Sequence, residues 1–221
     1  VRIAIACAAL LLGACAGGPL PSDWQSQSHA SLERFRQHYL EGNSRLAQHS
    51  FADAKAALAS TGRPELVARA ELVRCALGAA ALDVDACREF EVARTDATAE
   101  DQAYGDFISG RLREQDASML PAQYRDVARA RDEAARNKAM QQIADPVSRL
   151  VAAGALFRRA QLSPQGLSAA IDTASAQGYR RPLLAYLEVQ ARLAEAGGDT
   201  AALQSIRKRI DLVARSLPNA K

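Results

Sequence analysis

Apolar residues return along this chain at spacings of three and four, a period that admits little besides packed helices. Leu32, Phe35 and Tyr39 make one stripe, Ala47, Phe51, Ala54 and Leu58 a second, and Leu66, Ala70, Val73 and Leu77 a third. On a helix of 3.6 residues per turn each set falls on one face, and that face has to be buried. No alternating run of β-branched and aromatic residues is long enough to argue for a sheet. The aromatic share is 5%, and the many alanines suit helices that pack closely.

The breaks between stripes are helical in kind. Gly42-Asn43 parts the first stripe from the second, and Gly62-Arg63-Pro64 parts the second from the third. Pro64, Pro121, Pro146 and Pro164 each stand where a first helical turn would begin, a position that needs no N–H and suits the proline φ. Asp145 and Ser163 precede two of them as N-caps. Thr98 with Asp101 resembles a capping box with the shorter acid, opening a helix that carries Tyr104, Phe107 and Ile108. Gly197-Gly198-Asp199 reads as C-cap, turn and N-cap, after which Leu203, Ile206, Ile210, Val213 and Leu217 form a 3-4-3-4 seam. The expected fold is all-α: helix pairs of about 30–40 residues, each burying its apolar face against the next, over residues 25–217, with 218–221 as a tail. Gly42, Ala47, Phe51 and Ala54 reproduce a spacing similar to the second helix of the tetratricopeptide repeat. That resemblance implies an α-hairpin array. One repeat further on, Ala81 falls where an alanine belongs but Asp85 where an aromatic belongs, so an irregular helical bundle is the other arrangement.

At the N-terminus Arg2 precedes an apolar run, Ile3 to Leu12, which small residues close. That is the order of a secretory signal peptide. A membrane-spanning helix needs about 20 apolar residues to cross a ~30 Å hydrocarbon core, and Gly17-Gly18-Pro19 stops this run well short. Leu12-Gly13-Ala14-Cys15 resembles the lipobox of bacterial lipoproteins. The resemblance implies cleavage of residues 1–14, lipid (palmitate among the chains) on the Cys15 sulfur, and acylation of the new amino end. An ordinary signal cut after Ala14 or Ala16 is the alternative. Too few apolar residues precede Cys7 for it to serve instead, and Val1 reads as an alternative start codon or as following a few further basic residues. Two or more acyl chains anchor a protein stably where one does not. Ala16 stands where, by resemblance to enterobacterial lipoproteins, Asp favours the inner membrane, so the expected address is the periplasmic face of the outer membrane. Residues 15–24 then form the lipidated cysteine and its tether. The nine residues after Cys15 reach at most ~30 Å when extended, which keeps the body beside the membrane. Trp24, between tether and body, is expected to pack.

Removing the signal leaves about 200 residues, enough for one domain or one array. The whole chain has 28 Lys and Arg against 25 Asp and Glu. With signs mixed along its length it lacks the concentrated basic face of a nucleic-acid binder. If Cys7 leaves with the signal and Cys15 carries lipid, Cys75 and Cys87 remain as one pair. In an oxidising periplasm such a pair is expected to be a disulfide and a structural staple. Metal binding is the alternative, but no second Cys pair or nearby His completes a site. The stretch 83–98, with Asp83, Asp85, Glu89, Glu91 and Asp96, is expected to be less regular than its neighbours.

Chemistry is sparse. His29, His38 and His49 all fall in the first helix pair; His38 and His49 flank the Gly42 turn with only Glu41 as a further ligand, and solvated histidines are the preferred reading. There is no His-Glu-x-x-His, Gly-x-Ser-x-Gly, phosphate-binding loop or haem-attachment motif. Glu89 and Glu91 point to different sides of a helix, which does not suit paired-carboxylate glycoside cleavage. Basic clusters occur at Arg125, Arg129, Arg131, Arg136 and Lys138, at Arg158-Arg159, at Arg180-Arg181 and at Arg207-Lys208-Arg209. Intervening Asp126, Asp132, Glu133 and Asp211 make these read as solvated, salt-bridged faces, with an anionic lipid or acidic partner as the lesser reading. The expectation is a non-enzymatic envelope lipoprotein without cofactor or metal, which binds or scaffolds a periplasmic protein. A cell-wall glycan hydrolase and a purely structural envelope protein are the alternatives.

Overall fold

A computed structural model describes residues 22–218, and its described residues contain helices and no strands. The α-helices are α1 (Asp23–Leu40), α2 (Ser44–Ala59), α3 (Pro64–Ala80), α4 (Arg88–Val92), α5 (Ala99–Ile108), α6 (Ala122–Arg129), α7 (Glu133–Gln142), α8 (Pro146–Arg158), α9 (Pro164–Ala176), α10 (Arg180–Ala196) and α11 (Thr200–Arg215). Short 3-10 helices cover Arg94–Asp96 and Glu114–Met119. None of the described helices is long and apolar enough to cross a membrane. The signal segment, Cys15 and the tether as far as residue 21 lie outside the described residues. The expected tether overlaps α1 at its end. Ser22 caps α1 with a reciprocal bond to Gln25, so Asp23 and Trp24 are helical, and Trp24 packs partly buried against the core.

The caps fall where the punctuation put them. The carboxylates of Asp145 and Asp199 and the hydroxyls of Thr98 and Ser163 each accept from the backbone N–H three residues on, which satisfies one orphan donor per helix. Pro64, Pro146 and Pro164 open their helices, whereas Pro121 stands just before α6 in extended backbone. Gly42 turns the first hairpin, between α1 and α2, at φ +83°, a conformation that charges a side chain with steric cost. It therefore sits in the turn, while Ala47, Phe51 and Ala54 are buried on α2.

Sequential helices pack as pairs at both ends of the chain, α1–α2–α3 and α8–α9–α10–α11. The middle is less regular: α4 to α7 are short, and they lean on α3, α8 and α9. Tyr104, Phe107 and Tyr124 stack there with ring centroids 5.2–6.5 Å apart. Two long-range contacts close the molecule, α3 on α8 and α1 on α10. A Cβ at Gly154 of α8 would overlap the Ala79 carbonyl of α3, so the two backbones touch. The disulfide joins Cys75 of α3 to Cys87, 12 residues on, across the turn that precedes α4. Both cysteines are buried.

Gly154→Ala is expected to lower the unfolding free energy in urea by about 1–3 kcal/mol through overpacking. In an open helix interior the same change would raise it by about 1 kcal/mol, so the sign alone decides. The double change Cys75→Ala with Cys87→Ala is expected to cost about 3 kcal/mol in the same titration, since the closed loop no longer restrains the unfolded chain.

Candidate functional site

A groove of about 640 Å³ is laid along α2. Ser44, Ala47, Gln48, Phe51, Ala52 and Lys55 line it from one face of that helix, and Phe35 and Tyr39 of α1 complete the floor. The spacing of the α2 residues is the helical period itself, so one face supplies three turns of lining, about 16 Å of helix. Phe35 and Phe51 lie with ring centroids 4.8 Å apart, and Phe35 and Tyr39 meet edge to face at 5.7 Å. These rings are tied together by the same contacts that join α1 to α2.

Three cations border this floor. The Arg74 guanidinium of α3 lies 5.1 Å from the Phe51 centroid, and the Arg181 guanidinium of α10 lies 4.4 Å from that of Tyr39. Lys55 stands at the far end of α2 with its side chain 41% exposed. Beneath them Glu71 is almost wholly buried, with one oxygen 2.6 Å from the Lys55 Nζ and the other 2.7 Å from an Arg74 Nη. A buried carboxylate requires such partners, because an unpaired one would cost several kcal/mol. Asp83 closes the opposite side, where its carboxylate accepts from the Tyr39 hydroxyl at 3.4 Å and from the Asp85 N–H at 3.1 Å. Beyond Asp83 the groove runs on into a shallower hollow of about 270 Å³ bordered by Asp85, Ala86, Arg88 and Glu89.

Arg180 makes the kind of ion pair that the sequence suggests, 3.8 Å from Glu41, but both it and Arg181 also turn onto backbone carbonyls of distant residues. Arg181 Nε donates to the Tyr39 carbonyl at 2.7 Å and its Nη2 to the Ser44 hydroxyl at 2.7 Å. Arg180 Nε donates to the Glu41 carbonyl at 2.9 Å. Both add donors to carbonyls at the C-terminal end of α1, where the helix dipole also favours positive charge. Arg125 donates to the Leu120 carbonyl and Arg158 to the Asp83 carbonyl. Arg131 and Arg207 do make surface ion pairs, with Glu114 and Glu195.

The remaining sequence candidates fall elsewhere. Cys75 and Cys87 form the staple that pins the turn carrying Asp83. His49 lies 3.6 Å from Asp53, one turn along α2. Among the described residues no three His, Cys, Asp or Glu converge as metal ligands, so His38, His49 and Glu41 do not assemble. Glu91 pairs with Arg94 and Arg111. The stripes had already placed Phe35, Tyr39, Ala47 and Phe51 on facing helices. Lys55, Glu71, Arg74, Asp83 and Arg181 were missed as a group, and the one available signal was Glu71, an acid set between Ala70 and Leu72 in the middle of α3.

Neither protein-family models, nor curated proteins, nor solved structures match this chain. Burial, and next to it the Asp83 carboxylate, push the Tyr39 phenol up to about 12. A raised folded pKa means that the folded state holds the proton longer, so Tyr39 contributes stability below pH 10 that is lost as pH rises through about 12. Stability should therefore fall more steeply across that window in the parent chain than in Tyr39→Phe, by urea titrations at stepped pH.

Proposed function

We propose that this chain is a lipid-anchored, non-enzymatic binding module of the bacterial cell envelope, which holds a segment of a partner protein in the groove along α2. The groove carries the reading: an aromatic floor from α1 and α2, edged by Lys55, Arg74 and Arg181. Apolar pockets with a few convergent polar groups are the usual form of a binding site. The lipobox-like Leu12-Gly13-Ala14-Cys15 supports anchorage through Cys15. The Cys75–Cys87 disulfide suits an oxidising compartment, and the periplasmic face of the outer membrane remains the address of choice. As for glycan hydrolysis, Glu71 is a buried acid beside the groove, hydrogen-bonded through one oxygen to Lys55 and ion-paired through the other with Arg74. A general acid has to offer its proton to the substrate bond.

Two measurements test the anchor and the groove separately. Radiolabelled palmitate should enter the parent chain and not Cys15→Ser. A photo-crosslinking phenylalanine at Gln48 or Ala52 should give discrete protein adducts in intact envelopes, and one at the exposed Leu212 of α11 should not. Adducts at all three positions alike, or at none, would remove the binding module.

A further inference from the structure

We propose that the occupant of the groove is an extended acidic protein segment, with an apolar side chain against Phe51 and Tyr39 and carboxylates on Arg181, Arg74 and Lys55. The inference rests on the reading of the groove as a binding site and names the chemistry of what fills it. The first argument is charge. Arg74, Arg181 and Lys55 line the groove against the single carboxylate of Asp83, with Glu71 beneath the floor. Along α2, three cations facing two carboxylates leave positive charge over, whereas the hollow beyond Asp83 sets Asp85 and Glu89 against Arg88, so an acidic segment is favoured on the α2 stretch alone. None of the three is used up. Arg181 engages Nε and Nη2, Arg74 engages Nη2, and Lys55 makes one of the three bonds its ammonium offers.

The second argument is spacing. Arg181 meets Ser44 at one end of the α2 face, Arg74 lies over Phe51, and Lys55 stands one turn further along. A single carboxylate, such as that of a fatty acid, satisfies one of these. Several acidic side chains on one backbone reach all of them. At about 3.3 Å per residue, a strand of about five residues covers the ~16 Å length of the face. The third argument is the lining between the cations. Ser44 and Gln48 interrupt the apolar surface, which breaks any continuous slot for an acyl chain. Gln48 is exposed, and its amide both donates and accepts, as the edge of an extended backbone requires.

The test selects a randomised octapeptide library on the immobilised full chain and then measures a selected peptide by fluorescence anisotropy. The expected winners carry two or more Asp or Glu around a Phe, Leu, Ile or Trp. Their binding should weaken at least tenfold between 50 and 500 mM NaCl, because exposed charge pairs are screened. Ala52 is exposed within the groove, so charge can be placed there without entering the buried floor. Ala52→Glu should weaken binding at least tenfold, Ala52→Lys should preserve or tighten it, and Leu212→Glu should leave it unchanged. Neutral or basic winners, winners indifferent to Ala52→Glu, retention of oleate in place of any peptide, or no retained peptide would each overturn the acidic occupant. Groove-specific adducts in envelopes combined with non-acidic winners would discard this inference alone. Loss of those adducts would discard the binding module as well.

Discussion

Where α3 crosses α8, two backbones touch, and both ends of the chain are placed by that crossing. Gly154 of α8 lies directly against the Ala79 backbone of α3, and the residues beside them, Ala80 on one helix and Ala153 and Ala155 on the other, are small and buried. Small residues let the axes approach until main-chain atoms meet, which gives dispersion contact along the whole crossing. Larger side chains would hold the helices at the usual 8–10 Å. The N-terminal helices α1 and α2 stack outward from α3, and α9 to α11 stack outward from α8. The crossing thereby brings α1 within reach of α10, and the arginines at the start of α10 finish the closure on the carbonyls of α1.

The groove is a product of that closure. Its floor belongs to the first hairpin alone, but its edges come from three other places: Arg74 from α3, Asp83 from the disulfide-pinned turn, and Arg181 from α10. Arg181 serves both as a clasp between distant helices and as a wall over Tyr39. Its planar guanidinium suits the double task, since it stacks on a ring while its N–H groups bond in the plane. Asp83 is likewise shared. Its carboxylate faces the groove through Tyr39, and its carbonyl takes Arg158 at the end of α8. Groove shape and molecular closure thus depend on the same side chains.

The helices were legible because helix formation and capping are local. Leu32, Phe35 and Tyr39 announce a face within eight residues, and Asp145, Ser163 and Asp199 announce starts with a side chain that reaches three residues on. The Gly42 break between the stripes of Phe35 and Phe51 is likewise local, and α1 and α2 pack as a hairpin across it. The middle of the chain obeys no repeat, because short helices there fill the space around α3 and α8. Arg180-Arg181 was read as a solvated pair because its partners, Tyr39 and Glu41, lie some 140 residues away. No period or cap records a contact at that distance.

Periodicity and punctuation are enough to determine a helical body, where most of its helices begin and which faces they bury. Each of those properties depends on neighbours within a few turns, so the information is carried in adjacent residues. The order in which helices meet, the closure of α1 on α10, and the cationic edge of the groove belong to the tertiary structure. They arise where residues far apart in the chain are forced together by close packing of small side chains, and that packing exists only once the helices are assembled.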